Sequence, residues 1–221
     1  MNGYMKPQDI EKRSFEIITA ELGERTFPAG IAEVVKRVIH TTADFDYAKN
    51  LRFTPGAVQK AVEALHKGAF IVTDTNMALA GITKPGLAKL GGQAACYMAD
   101  SEVAARAKAE GTTRAVAAMH KAAAEHPGAI LAVGNAPTAL LTIAEQIEAG
   151  LRPALVIGVP VGFVNVVESK ERLFVTCEAH GVPAIVAMGR KGGSNVAAAI
   201  CNALIYSAAE MLDPTARGWN G

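Results

Sequence analysis

The sequence predicts a three-layer α/β fold: a mainly parallel central sheet of about five strands covered by helices on both faces, preceded by a helical extension at the N-terminus. Three observations carry that expectation. Short runs rich in Val, Ile and Ala alternate with longer Ala-rich stretches dotted with charge. The short runs are apolar without a break, as strands buried on both faces are, instead of alternating apolar and polar. Turn-forming residues cluster directly after the runs, where an open parallel sheet carries its ligand site.

In chain order, residues 1–55 are helical by pattern and contain no strand-like run, so they are expected to pack on the sheet as helices. Asp9, Glu11 and Lys12 stand where a signal peptide would need an apolar stretch. Strands are expected at 69–73, 94–98, 129–133, 154–159 and 183–188, and helices over 56–67, 112–126, 137–149, 163–180 and 194–211. Asp213-Pro214 stops the last helix. The chain of 221 residues reads as one domain over 1–221, long enough for a substantial core, with 215–221 as a loose tail that includes Trp219.

Composition narrows the function. Hydrophobic residues make up 50% and charged residues 19%, a folded and not a disordered chain. Twenty-two Lys and Arg balance 21 Asp and Glu, a net charge of +1 that excludes the broad basic surface of a nucleic-acid binder. An anionic ligand would therefore be held by locally placed cations and backbone amides. Cys96, Cys177 and Cys201 are widely spaced, odd in number and form no CxxC pair, so neither a zinc site nor a disulfide framework is indicated. A reducing cytoplasm is the expected compartment. The most apolar helical stretch, 196–209, is shorter than a membrane span and contains Asn202, so no membrane role is expected.

The unusual residues sit at four strand ends. Thr73-Asp74-Thr75-Asn76-Met77 follows the first run and Gly134-Asn135-Ala136-Pro137 the third. Gly158-Val159-Pro160-Val161-Gly162-Phe163 continues the fourth, and Gly189-Arg190-Lys191-Gly192-Gly193-Ser194-Asn195 the fifth. Glycines let backbone N–H groups approach a ligand, helix N-termini favour negative charge, and an arginine such as Arg190 can grip a carboxylate through two hydrogen bonds. The plain alternatives stand beside these readings: Asn135 as a simple cap, and the glycine-rich turn as an ordinary strand-to-helix connection. Neither a Walker A loop nor a GxGxxG turn occurs, which weakens nucleotide readings.

Of the five histidines, His66, His120, His126 and His180 fall near helix ends or on charged faces, where solvated histidines are common. His40 closes an amphipathic segment and is followed by Thr41, Thr42 and Asp44. An imidazole with an ordinary pKa of about 6.5 suits proton transfer at such a rim, although a histidine at a helix C-terminus also serves the dipole. Arg114 lies in the first turn of a predicted helix, where a cation opposes the dipole, a mild violation that hints at a ligand.

Arg13-Ser14-Phe15-Glu16-Ile17-Ile18, Val38-Ile39-His40, Asp74 with Met77 and Gly81, Gly134 through Leu140, Gly158 through Val164 with Glu168-Ser169-Lys170, and Gly189-Arg190 with Gly192-Gly193-Ser194 together make the chain similar to the precorrin-8X methylmutase family. Its cobalt-dependent members are called cobalt-precorrin-8 methylmutases. The resemblance runs from about residue 9 to about 205, and the Gly134 and Gly158 blocks in this order are its most specific part. It implies an isomerase of vitamin B12 biosynthesis that moves a ring methyl from C-11 to C-12 of a polycarboxylated tetrapyrrole, giving hydrogenobyrinic or cobyrinic acid. It places the catalytic histidine on His40 and substrate contacts on Ser14 and Arg114, with Arg13 beside them, and implies a homodimer with no cofactor. Asp74, Arg190 and the turns at Gly134–Asn135 and Gly192-Gly193-Ser194 complete the expected substrate-binding set. Two other classes remain open on sequence: a non-catalytic tetrapyrrole carrier, and an α/β enzyme acting on a phosphorylated metabolite.

Overall fold

A computed structural model describes residues 5–28 and 30–217. The extension forms α1 (Pro7–Leu22), α2 (Ile31–Thr42) and the single turn α3 (Tyr47–Asn50). Strand β1 (Leu51–Phe53) follows, then α4 (Ala57–His66), β2 (Ile71–Thr73), α5 (Asn76–Gly81), α6 (Lys84–Lys89) and β3 (Ala94–Cys96). The second half runs α7 (Ser101–Ala109), α8 (Arg114–Glu125), β4 (Ile130–Val133), α9 (Pro137–Glu148), β5 (Leu155–Gly158), α10 (Val166–Ala179), β6 (Ala184–Ala187) and α11 (Ser194–Ala208).

Six strands pair in the order β1-β6-β5-β4-β2-β3, all parallel except β1, which runs antiparallel to β6. The five expected strands are β2 to β6. The sixth corrects the expectation that the first 55 residues hold no strand. Leu51-Arg52-Phe53 is too short to show a run, and Arg52 points to solvent at the sheet edge. Its pairing is set from outside: Thr54 Oγ1 accepts the Ala184 amide at 2.8 Å, and the Met188 amide reaches Asn50 O at 2.8 Å.

The unbroken apolar runs have the anticipated cause. In β4, Ile130 and Ala132 join one core layer with α1, α2, α4 and α11, while Leu131 and Val133 join the other with α7, α8, α9 and α10. Every position of β2, β4, β5 and β6 is buried, so period 2 is hidden in composition although it is present in geometry. The extension reaches the sheet through α11: α2 lays Val34, Val35, Val38 and Ile39 against it, and α1 packs on α2.

Two further expectations are corrected. The helix anticipated from Phe163 begins at Val166, because residues 161–165 form a loop ending in Asn165 at φ 54°. The chain end is not loose as far as it is described: Pro214–Arg217 make a 3-10 turn, and the Arg217 guanidinium donates to both oxygens of Glu11 at 2.8 Å. Trp219 lies outside the described residues.

The chain passes from β2 to β3 on one side and then to β4 on the other, so the strand order reverses between β2 and β4. An open α/β sheet has its ligand crevice at the carboxyl ends of the strands at such a reversal.

Candidate active site

At that reversal the carboxyl ends of β2 and β4 are bridged by a side chain. Asp74, 1% exposed, accepts the amides of Gly134, Asn135 and Ala136, each at 2.8 Å. Burial lifts the Asp74 carboxyl above its ordinary range, and the three amides counter part of that rise. The amides expected at Gly134–Asn135 for a substrate carboxylate are thus filled by a carboxylate of the chain itself. Asp74 is correspondingly sealed beneath the turn and not presented to a ligand. Gly134 serves packing: a Cβ there would sit 2.7 Å from Cα of Ser194.

The turn after β6 is built the opposite way. Lys170 of α10, fully buried, sends its ammonium up into the turn and donates to Gly189 O at 2.8 Å and Lys191 O at 2.9 Å. Burial alone lowers its pKa to about 8. From outside, Lys191 Nζ bonds Asp44 at 2.7 Å and Asp46 at 2.6 Å, just past the end of α2. Gly192 lies so close to the β5 end that a Cβ would collide with the Val159 carbonyl, and the Gly193 amide is spent on that same oxygen at 2.8 Å. Ser194 Oγ meets Thr75 Oγ1 at 2.7 Å, which ties the start of α11 to the end of β2. The backbone of Gly192 and Gly193 therefore serves close approach between segments.

What these turns present outward is side chains. Arg190 is exposed and its guanidinium lies 5.6 Å from the centre of the Phe163 ring. Phe163 is 83% exposed and Val164 77%, and Met77 at the start of α5 is 71% exposed, an apolar surface beside the strand ends. Arg114 opens α8, whose cap Thr113 touches Thr138 of α9 at 3.3 Å, so it stands at the same edge on the other helical layer. Among the described residues Arg114 has no ion-pair or hydrogen-bond partner.

His40 occupies the last turn of α2. Its ring stacks on Phe15 of α1 at 5.2 Å between centroids and 17° between planes. Behind it lies a buried charge cluster in which Glu11 is shared by Arg37, at 2.7 Å, and Arg217. Arg37 also lies over the Phe15 ring at 4.6 Å. Desolvation lowers the His40 pKa, and the positive charge of Arg37 lowers it further, against a partial opposing pull from Glu11. Ser14 and Arg13 lie beside Phe15 on α1, with Ser14 Oγ donating to Ile10 O at 2.9 Å and Arg13 paired with Glu16 at 2.8 Å. A cavity of about 770 Å³ opens on the far side, lined by Phe15, Arg37, Glu33, Ala203 and Leu212.

The structure thus draws Arg13, Ser14 and His40 together on α1 and α2 and links them to Arg190 through Lys191 and the aspartates after α2. A family model described as precorrin-8X methylmutase matches residues 9–207. The chain belongs to the precorrin-8X methylmutase family. It is 45% identical to a cobalt-precorrin-8 methylmutase of Priestia megaterium over 90% of this chain and 88% of that one. It is also 45% identical to one of Salmonella typhimurium over 93% and 98% of the two chains. A solved precorrin-8X methylmutase from Thermus thermophilus superposes with a TM-score of 0.83 at 44% identity, covering 91% of this chain and 98% of that chain. Family membership makes the protein an intramolecular methyl-shifting isomerase.

Four residues at the site were given no role by the sequence: Lys170, which stood in a quoted motif, Lys191, which the resemblance did not cover, and Glu11 and Arg37. A lysine flanked by Ser169 and Leu173 on the buried face of its helix was the one signal available.

Proposed function

We propose that the protein moves the methyl group of precorrin-8, or of its cobalt complex, from C-11 to C-12 of the macrocycle, and that His40 is the proton donor. The observation that carries this reading is the imidazole itself, stacked on Phe15 at the end of α2 and tied through Asp44, Asp46 and Lys191 to the turn that holds Arg190. A suprafacial 1,5 shift of a carbon group is thermally allowed, so the balanced reaction needs no redox equivalent. One carbon–carbon bond breaks at C-11, another forms at C-12, and a proton lent to the ring system returns at the end. Protonation makes the accepting carbon more electrophilic, and the fold holds the flexible macrocycle in the reacting shape.

The depressed pKa of His40 suits a substrate-triggered step. Partial desolvation and the charge of Arg37 lower the imidazole pKa in the free protein. A polycarboxylate arriving beside it supplies negative charge, raises its pKa and charges it with the proton it then donates. Arg114, without a partner among the described residues, and exposed Arg190 and Arg13 are the proposed carboxylate anchors, with Ser14 as a neutral contact. The exposed Phe163, Val164 and Met77 offer an apolar surface for a macrocycle face or for a second subunit, and we propose a homodimer on that ground.

The deciding experiment is the visible absorption spectrum of the protein incubated with metal-free precorrin-8, run beside His40→Ala. Relocating the methyl changes the conjugation, so turnover shows as a colour change. The variant should bind pigment yet turn over about 10²–10⁴-fold more slowly. Pigment bound without spectral change by the parent, with either the metal-free or the cobalt substrate, would leave only a carrier.

A further inference from the structure

Lys170 is the one fully buried lysine among the described residues, and no acidic group neutralises it. An ammonium removed from water is costly unless it does something no apolar residue can do. Here it satisfies two main-chain carbonyls on either side of Arg190, those of Gly189 and Lys191, at 2.8 and 2.9 Å. These oxygens belong to a turn whose first residue has φ 78° and which makes no strand ladder of its own. The ammonium therefore replaces the hydrogen bonds that regular structure would supply, and does so on both sides of one exposed arginine. The same turn is held from outside by Lys191 on Asp44 and Asp46, which ends the path at the helix of His40.

We propose that Lys170 is a positioning residue for substrate binding: by clamping the carbonyls of Gly189 and Lys191 from within, it fixes the direction of Arg190. The proposal rests on the assignment of Arg190 as a carboxylate anchor. Charged groups on the elements around Lys170 are engaged elsewhere or solvated. Glu145 and Glu148 of α9 face Arg172 at 3.5 Å, and Glu168 and Glu171 of α10 are exposed. Arg190 and Lys191 point their charged ends outward from the turn.

The clamp has a pH signature. Lys170 holds its proton below about pH 8 and loses it above. The unfolded chain keeps the proton until about pH 10.4, so between these values deprotonation makes Lys170's own contribution to stability rise with pH. Affinity should move the other way, because a neutral amine holds two carbonyls less firmly. A loss of stability arising from Lys170 itself cannot therefore explain weaker binding in that window.

The experiment measures KM and kcat for precorrin-8 from pH 7 to 9.5 in the parent, Lys170→Met and Arg190→Ala. The parent should lose affinity about tenfold through pH 8, whereas the fall in kcat as His40 loses its proton should be the same in all three proteins. Lys170→Met should start at the weakened KM and stay flat. Arg190→Ala should likewise be weak and flat, since the clamp then has nothing to aim. A parent KM level across pH 8, or Lys170→Met with the parent's KM, overturns the positioning role. Arg190→Ala with the parent's KM instead overturns the anchor on which it rests. Should Lys170→Met fail to fold, the profiles of the parent and of Arg190→Ala decide by themselves.

Discussion

The turns after β4 and β6 look alike in sequence, each beginning with a glycine and opening a helix, but they are closed by opposite charges. After β4 the backbone turns three amides inward onto the Asp74 carboxylate. After β6 it turns two carbonyls inward onto the Lys170 ammonium. In both cases the chain supplies its own counter-group, so the backbone is not left for a ligand. The difference lies in what faces out. The β6 turn displays Arg190 beside Phe163, whereas the β4 turn displays the neutral Asn135 and receives its cation from Arg114 at the start of the neighbouring helix. Glycine-rich strand ends need not be anion cradles; they are equally what close approach between segments requires.

The comparison breaks most readily at Asp74. Asp74→Ala should destabilise the fold by about 3–5 kcal/mol in urea unfolding, since three buried donors lose their acceptor at once. Asp74→Asn, which keeps one acceptor oxygen, should lose less. An Asp74→Ala protein of parental stability but without substrate affinity would return Asp74 to the ligand. Arg114→Ala comes next: KM for precorrin-8 should rise about tenfold with kcat nearly unchanged, because an anchor that acts equally on substrate and transition state lowers affinity alone. A fall in kcat at constant KM would place Arg114 in the transition state instead. The smallest effect is expected at Lys191, whose ion pairs with Asp44 and Asp46 are exposed. Lys191→Ala should leave Tm unchanged, and amide hydrogen exchange at 189–193 should quicken only slightly while Lys170 still holds the turn. Rapid exchange there would shift the clamp from the inner lysine to the outer one.

Much of this was legible in the chain. The alternation of apolar runs with Ala-rich helices set the layers, and Pro137 marked the start of α9, because such signals act within a few residues; α11 ends at Ala208, short of the Asp213-Pro214 stop that the sequence suggested. The family motifs pointed to His40, Ser14, Arg13, Arg114 and Arg190, and the fold draws His40, Ser14 and Arg13 together on neighbouring helices. What sequence did not disclose depends on separation. Strand β1 exists because Thr54 meets Ala184 across 130 residues, and Glu11 is closed by Arg217 across 206.

By itself, then, the sequence determined the class of fold, the family and the edge of the sheet where chemistry is concentrated. Tertiary structure decided which polar groups there are free. Asp74 and Gly134 stand 60 residues apart, and Lys170 and Gly189 stand 19 apart. No local pattern records that one buried charge will fill a distant turn. A buried charge persists only where a folded backbone presents complementary dipoles, and those dipoles converge only once the strands have paired.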